Sequence, residues 1–181
     1  FWIIPRATDS FMHRLRQAAE VFQHLGRLMR SLKMDTDLGN EGGYAPDFQN
    51  HQEVFDLLQR AIRDAGYDVG KDLALGGDAG ATVLYDAPAK KYRLNLEQKE
   101  FTSKEFVEFW LRTAQKYDFF ALEDPLAEED WVGWQTMTQR IAAVPGGMRL
   151  IGDDIFVTNV QRLQMGIDRH VANAIIIKPN Q

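Results

Sequence analysis

An α/β fold with a mostly parallel sheet follows from three observations. Short apolar, β-prone runs alternate with helix-period segments along the 181 residues, the pattern of strand, crossover helix and strand. No long linker interrupts that alternation, so residues 1–181 are read as one domain. Four of the apolar runs close on a charged residue: Asp78 in LALGGD, Glu123 in FFALED, Asp153 in RLIGDD and Lys178 in AIIIK. A parallel β/α barrel opens all its strand ends onto one face, so these residues predict a shared pocket. An open doubly wound sheet is the rival, but it gathers fewer strand ends around one centre.

The elements follow in order. Phe1 to Ile4 reads as a strand. From Ser10 to Leu32, Phe11, Leu15, Ala18, Ala19, Phe22 and Leu25 recur at helical spacing, which predicts a helix with that face buried. A short stretch through Leu38 leads into the glycine-rich loop GNEGGYAP. A second helix carries Val54, Leu57, Leu58, Ala61 and Ile62 and stops at Gly66. The strand Leu73–Leu75 runs into Gly76-Gly77-Asp78, after which Thr82–Tyr85 and Lys91–Leu96 are expected to pair as a hairpin. Thr102 or Ser103 caps a helix bearing Phe106, Phe109, Trp110 and Ala114. Strands ending at Glu123, Asp153 and Lys178 follow, separated by helices near Trp131–Ala142 and Asn159–Ile167. This count gives about six barrel strands, against the eight that a closed barrel needs. With a non-Met start and a buried-type strand close to Gln181, the chain reads as part of a longer protein.

Composition narrows the function classes. A net charge of −5 with no long Lys/Arg run gives no electrostatic basis for nucleic acid or an anionic membrane as partner. No apolar run approaches the roughly 20 residues that span a bilayer, and no signal-like leader is evident, so a cytoplasmic location is expected. The chain has no cysteine, which excludes disulfides, thiolate metal sites and a cysteine nucleophile and leaves oxygen or imidazole as metal ligands. His13, His24, His51 and His170 lack the spacing of a helical metal pair and are assigned no catalysis. Phe106, Phe109, Trp110, Trp131 and Trp134 recur at helical spacing and read as core. Glu128-Glu129-Asp130 reads as a solvated loop that starts a helix.

The strand-end residues carry the chemistry. Carboxylates at Asp78, Glu123 and Asp153 offer three hard oxygen ligands suited to Mg²⁺, and Lys178 beside them is suited to act as a base. Each residue alone has a plainer role: Asp78 as a helix cap or turn former, Lys178 as a side chain reaching from a strand end to water, and Glu41 as part of a glycine turn. Asp124 and Asp154 adjoin the proposed ligands and are expected to orient lysines or backbone groups.

Five strings then give a resemblance. LGNEGGYAP (Leu38–Pro46), LALGGDAGA (Leu73–Ala81), ALEDPLAEEDW (Ala121–Trp131), IGDDIFVTN (Ile151–Asn159) and ANAIIIKPNQ (Ala172–Gln181) occur in the order found in enolases. The chain therefore resembles the enolase family, phosphopyruvate hydratase, over essentially its whole length. The resemblance implies a partial TIM-type (β/α) barrel of the enolase C-terminal domain, with the small N-terminal domain and the last barrel strands outside the chain. It implies Mg²⁺-dependent dehydration of 2-phosphoglycerate to phosphoenolpyruvate in glycolysis. It makes Asp78, Glu123 and Asp153 the ligands of the tightly held Mg²⁺, Lys178 the base at carbon 2 and Glu41 the acid at carbon 3. Glu41, Glu123, Asp153 and Lys178 would then contact substrate, and the full-length protein would be a homodimer. A second Mg²⁺ site and a phosphate site are implied to need residues beyond this chain, so the piece alone is expected to be inactive.

Departures from the family pattern keep a second reading open. Asn40 stands where enolases usually carry aspartate, Thr82-Val83-Leu84 replaces a usual serine-glutamate-phenylalanine, and Pro179 follows the proposed base where valine is common. The alternative is an enolase-like binding or scaffold protein with impaired chemistry. Another acid-sugar lyase or racemase of the wider superfamily would share the carboxylates, but the NEGG and KPNQ strings argue against it.

Overall fold

A computed structural model describes residues 1–6, 10–142 and 147–180. The chain divides into two compact units, one of residues 2–75 and the other of Phe1 with residues 76–181. Strand β2 (Leu73–Asp78) runs through the boundary.

In the first unit, strand β1 (Trp2–Pro5) lies beside β2, followed by helices α1 (Phe11–Ser31) and α2 (His51–Asp64). Ser10 caps α1 by accepting the His13 N–H, and Asn50 caps α2 by accepting that of Glu53. Gly66 ends the turn after α2 with φ of 86°, a backbone region that glycine enters without penalty. The face that α1 buries is rotated from the expected one. Val21, Leu25, Gly26, Leu28 and Met29 are buried, whereas Phe11 and Leu15 are exposed. This face packs against α2 and β1, while Tyr44 from the segment after α1 stacks on Phe22 at 4.5 Å and its hydroxyl stands where a Cβ on Gly26 would be. The stretch that leads through Leu38 into the glycine-rich loop forms a single bridge, Leu38 to Tyr44.

The second unit holds the sheet order β2, β6 (Phe119–Glu123), β7 (Arg149–Gly152), β8 (Ala174–Ile175). The β6–β7 and β7–β8 pairs are parallel, as crossover helices require. Helices α3 (Ser103–Lys116), α4 (Trp131–Ile141) and α5 (Val160–Asp168) fall between successive strands. With β1 of the first unit, the described strands of this sheet number five, against the expected count of about six. Apolar side chains of β6, α3 and α4, among them Leu122, Phe106, Trp134 and Met137, are buried. Trp134 also satisfies its indole N–H by donating to the Ala127 carbonyl at 3.1 Å.

The expected hairpin is only half present. Gly80, at φ of 50°, turns the chain into a 3-10 turn over Ala81–Leu84, so Thr82 to Leu84 are not strand. The sheet here is three-stranded and antiparallel: β3 (Tyr85–Asp86), β4 (Lys91–Leu94) and β5 (Lys99–Phe101). Its inner residue Tyr92 is fully buried and stacks on Phe106 of α3 at 4.5 Å. Thr102 begins α3 with a capping box, its hydroxyl accepting from Glu105 N–H while Glu105 accepts from Thr102 N–H. Thr102→Ala removes half of that exchange and is expected to lower stability by about 1 kcal/mol, read as a shift in the urea midpoint.

Candidate metal and proton-transfer site

The site grows from the carboxyl ends of β2, β6 and β7 in the second unit. Asp78 is the last residue of β2 and Glu123 the last of β6, while Asp153 follows β7 directly. Asp78, Glu123 and Asp124 each present an oxygen within 4.8 Å of the others. Glu123 is 6% exposed and Asp124 2%, and no ion pair accompanies either among the described residues. Buried carboxylates gathered without a cation are electrostatically unfavourable. Burial, with the charges of Asp78, Asp124 and Asp153, pushes the Glu123 carboxyl up from 4.5 to about 7. Burial likewise raises Asp124 to about 6, and partial desolvation, opposed by the Gly80 N–H, raises Asp78. An all-oxygen donor set held under this repulsion fits a hard divalent ion.

Asp124 combines the backbone-orienting part expected of it with a place in the acidic cluster. Simple strand alternation would turn it away from Glu123. Its φ of 39° breaks the alternation and returns the carboxylate to the same side. There it accepts the N–H groups of Asp153 and Asp154 at 3.1 and 2.9 Å, fixing the loop after β7 against that after β6. The same carboxylate thus belongs to the acidic cluster and serves the backbone-orienting part expected of it. The only sequence sign of the first part is its adjacency to Glu123.

Lys178 lies beyond the strand, not at its end, since β8 stops at Ile175. Its Nζ is nevertheless 2.7 Å from Asp153 Oδ1. The bond to Asp153 holds the ammonium above its ordinary range, with Glu123 and Asp154 adding to the effect. The structure therefore brings Asp78, Glu123 and Asp124 together, and Asp153 with Lys178. Glu41 belongs to the first unit, exposed at the tip of a turn closed by Gly39 N–H to Gly43 O at 2.8 Å and by Gly42 at φ of 79°.

The rim differs from a solvated acidic loop. Asp130 caps α4 by accepting the Gly133 N–H and also accepts the Tyr92 and Ser103 hydroxyls at 2.7 and 2.5 Å. Trp131, Trp134, Phe106 and Trp110 are buried, as helical spacing predicts for core. No described helix is long and apolar enough to cross a membrane.

Parallel β/α units with acidic groups at the carboxyl ends of successive strands define a protein of the β/α-barrel class, with a carboxylate cluster whose oxygens suit a cation. The family is specific: residues 1–181 match the family described as enolase, C-terminal TIM barrel domain. The chain belongs to that family, whose typical metal dependence agrees with the acidic cluster.

Proposed function

We propose that this barrel belongs to an enolase proper, a carbon–oxygen lyase that dehydrates 2-phosphoglycerate to phosphoenolpyruvate. The observation that carries the reading is the pairing of Lys178 with Asp153 at 2.7 Å beside the buried cluster of Asp78, Glu123 and Asp124. Asp78, Glu123 and Asp153 would hold Mg²⁺. When bound, it would supply positive charge against the dianion formed as a proton leaves the carbon beside a carboxylate.

Lys178 accepts that proton from carbon 2, and for this it must be a neutral amine. Asp153 governs that state: while its carboxylate is given wholly to Lys178, the ammonium is favoured, and when it serves as a ligand the lysine loses its partner. Glu41, assigned through its place in LGNEGGYAP, gives a proton to the hydroxyl leaving carbon 3. The substrate is an anionic small molecule, the partner copy a second full-length chain, and the compartment the cytoplasm.

Turnover of 2-phosphoglycerate by the full-length protein tests the reading. Glu41→Gln keeps the shape of the turn residue but removes its proton, so turnover is expected to fall at least about 100-fold. No dehydration by the full-length wild type would instead favour the binding or scaffold reading that Asn40 and Val83 suggest.

A further inference from the structure

Between the loops after β6 and β7 lies a side chain with no part in the chemistry above. Arg162, in the first turn of α5, donates from Nε to the Ile155 carbonyl at 2.5 Å and from Nη2 to the Glu128 carbonyl at 2.8 Å. Its Nη1 meets Glu129 at 2.8 Å, and the guanidinium lies over Trp131, 5.2 Å from the ring centre. Ile155 is two residues beyond Asp153 and Glu128 five beyond Glu123. A planar fork with several fixed donors is the group that can grip two separate carbonyls at once.

We propose that Arg162 is a positioning residue for the carboxylate site, tying the loop that follows Glu123 to the loop that follows Asp153. The inference rests on the cation site proposed above. Asp124 already joins these loops at the Asp153 and Asp154 N–H groups. A tie at one place fixes distance but leaves the loop free to pivot; the Arg162 contact at Ile155 supplies the second place and so fixes the direction in which Asp153 points.

The loop after β7 needs such restraint. Val157 and Thr158 have φ of 42° and 54°, a left-handed region that β-branched residues avoid, at about 1–3 kcal/mol each. Strain of that kind persists only where surrounding contacts hold it. Asn159 contributes by accepting the N–H groups of Gln161 and Arg162, which fixes the start of α5 beneath the guanidinium.

The test compares wild type, Arg162→Lys, Arg162→Gln and Glu129→Gln in the full-length protein. Mg²⁺ binding is read by calorimetry, the ligand field by Mn²⁺ electron paramagnetic resonance, and loop order by hydrogen exchange. Both Arg162 variants are expected to raise the Mg²⁺ Kd about tenfold and to broaden the bound Mn²⁺ spectrum, whereas Glu129→Gln changes the Kd less than about twofold. Amides of residues 127–128 and 153–157 are expected to exchange faster together. Wild-type Kd and Mn²⁺ spectrum in a folded Arg162 variant overturn the proposal. Should Arg162→Gln not fold, Arg162→Lys, which keeps charge and stem but loses the fork, decides it. A wild type that binds no Mg²⁺ sinks the cation site instead; the tie between loops then stands or falls on the exchange result alone.

Discussion

Lys178→Ala is expected to abolish turnover of 2-phosphoglycerate by at least about 100-fold while leaving Mg²⁺ binding intact or slightly tighter. The two effects separate because Lys178 has two relations to the site. As the proposed base it takes the carbon 2 proton, and no other amine lies within ion-pair distance of Asp153 among the described residues. As a cation 2.7 Å from Asp153 it competes with metal for that carboxylate, so its removal leaves the acidic set more negative. Exchange of the carbon 2 proton with deuterated solvent isolates the abstraction step from loss of the hydroxyl. The variant should lose both exchange and phosphoenolpyruvate formation. Glu41→Gln should lose net dehydration and retain exchange, because its proposed proton is used only afterwards. Wild-type exchange in Lys178→Ala would remove it as the base and return the Asp153 contact to an ordinary ion pair.

The parts legible in sequence are those fixed by local chemistry. A charged residue closing an apolar run marks a strand end, and Asp78 and Glu123 are the last residues of β2 and β6. The cap at Thr102 announces a helix because an orphan N–H must find an acceptor. Illegible parts depend on backbone sign or distant contact. A positive φ at Asp124 reverses the side that alternation assigns it, and Gly80 diverts Thr82–Leu84 into a 3-10 turn. The Thr82 hydroxyl then accepts the Glu128 N–H at 3.2 Å, a contact across 46 residues that no local pattern announces. Likewise, helical periodicity in α1 shows that a face exists, but packing against α2 and β1, which are distant in sequence or irregularly joined, selects the residues it contains. Lys178 illustrates a third case. Apolar Ile175, Ile176 and Ile177 suggest strand up to the lysine, yet β8 ends at Ile175, and the side chain's reach rather than strand geometry brings Nζ to Asp153.

Mg²⁺ affinity is expected to climb as pH rises through about 7, with a proton released on binding, and Glu123→Gln is expected to lower that affinity by at least about tenfold and flatten the pH dependence. Glu123 is held up at about 7 by burial first and then by the neighbouring charges of Asp78, Asp124 and Asp153. Below that pH its carboxyl carries a proton that a cation must displace; above it, the ligand is already ionised. The metal-free fold shows the opposite trend. A carboxyl whose folded pKa exceeds its unfolded one gives stability that is fully present below the unfolded value and lost as pH rises through the folded value. For Glu123 that window runs from 4.5 to about 7, and Asp124, raised to about 6, acts in the same direction. Without Mg²⁺, wild type should therefore lose melting temperature across that window relative to Glu123→Gln, whose amide cannot ionise. Saturating Mg²⁺ should reverse the difference above neutrality, because ligand binding to the folded state adds stability. Calorimetry in two buffers of different ionisation enthalpy counts the released proton directly. A pH-independent Kd with no proton release, together with parallel melting curves for wild type and Glu123→Gln, would show that Glu123 is neither strained by its neighbours nor a ligand.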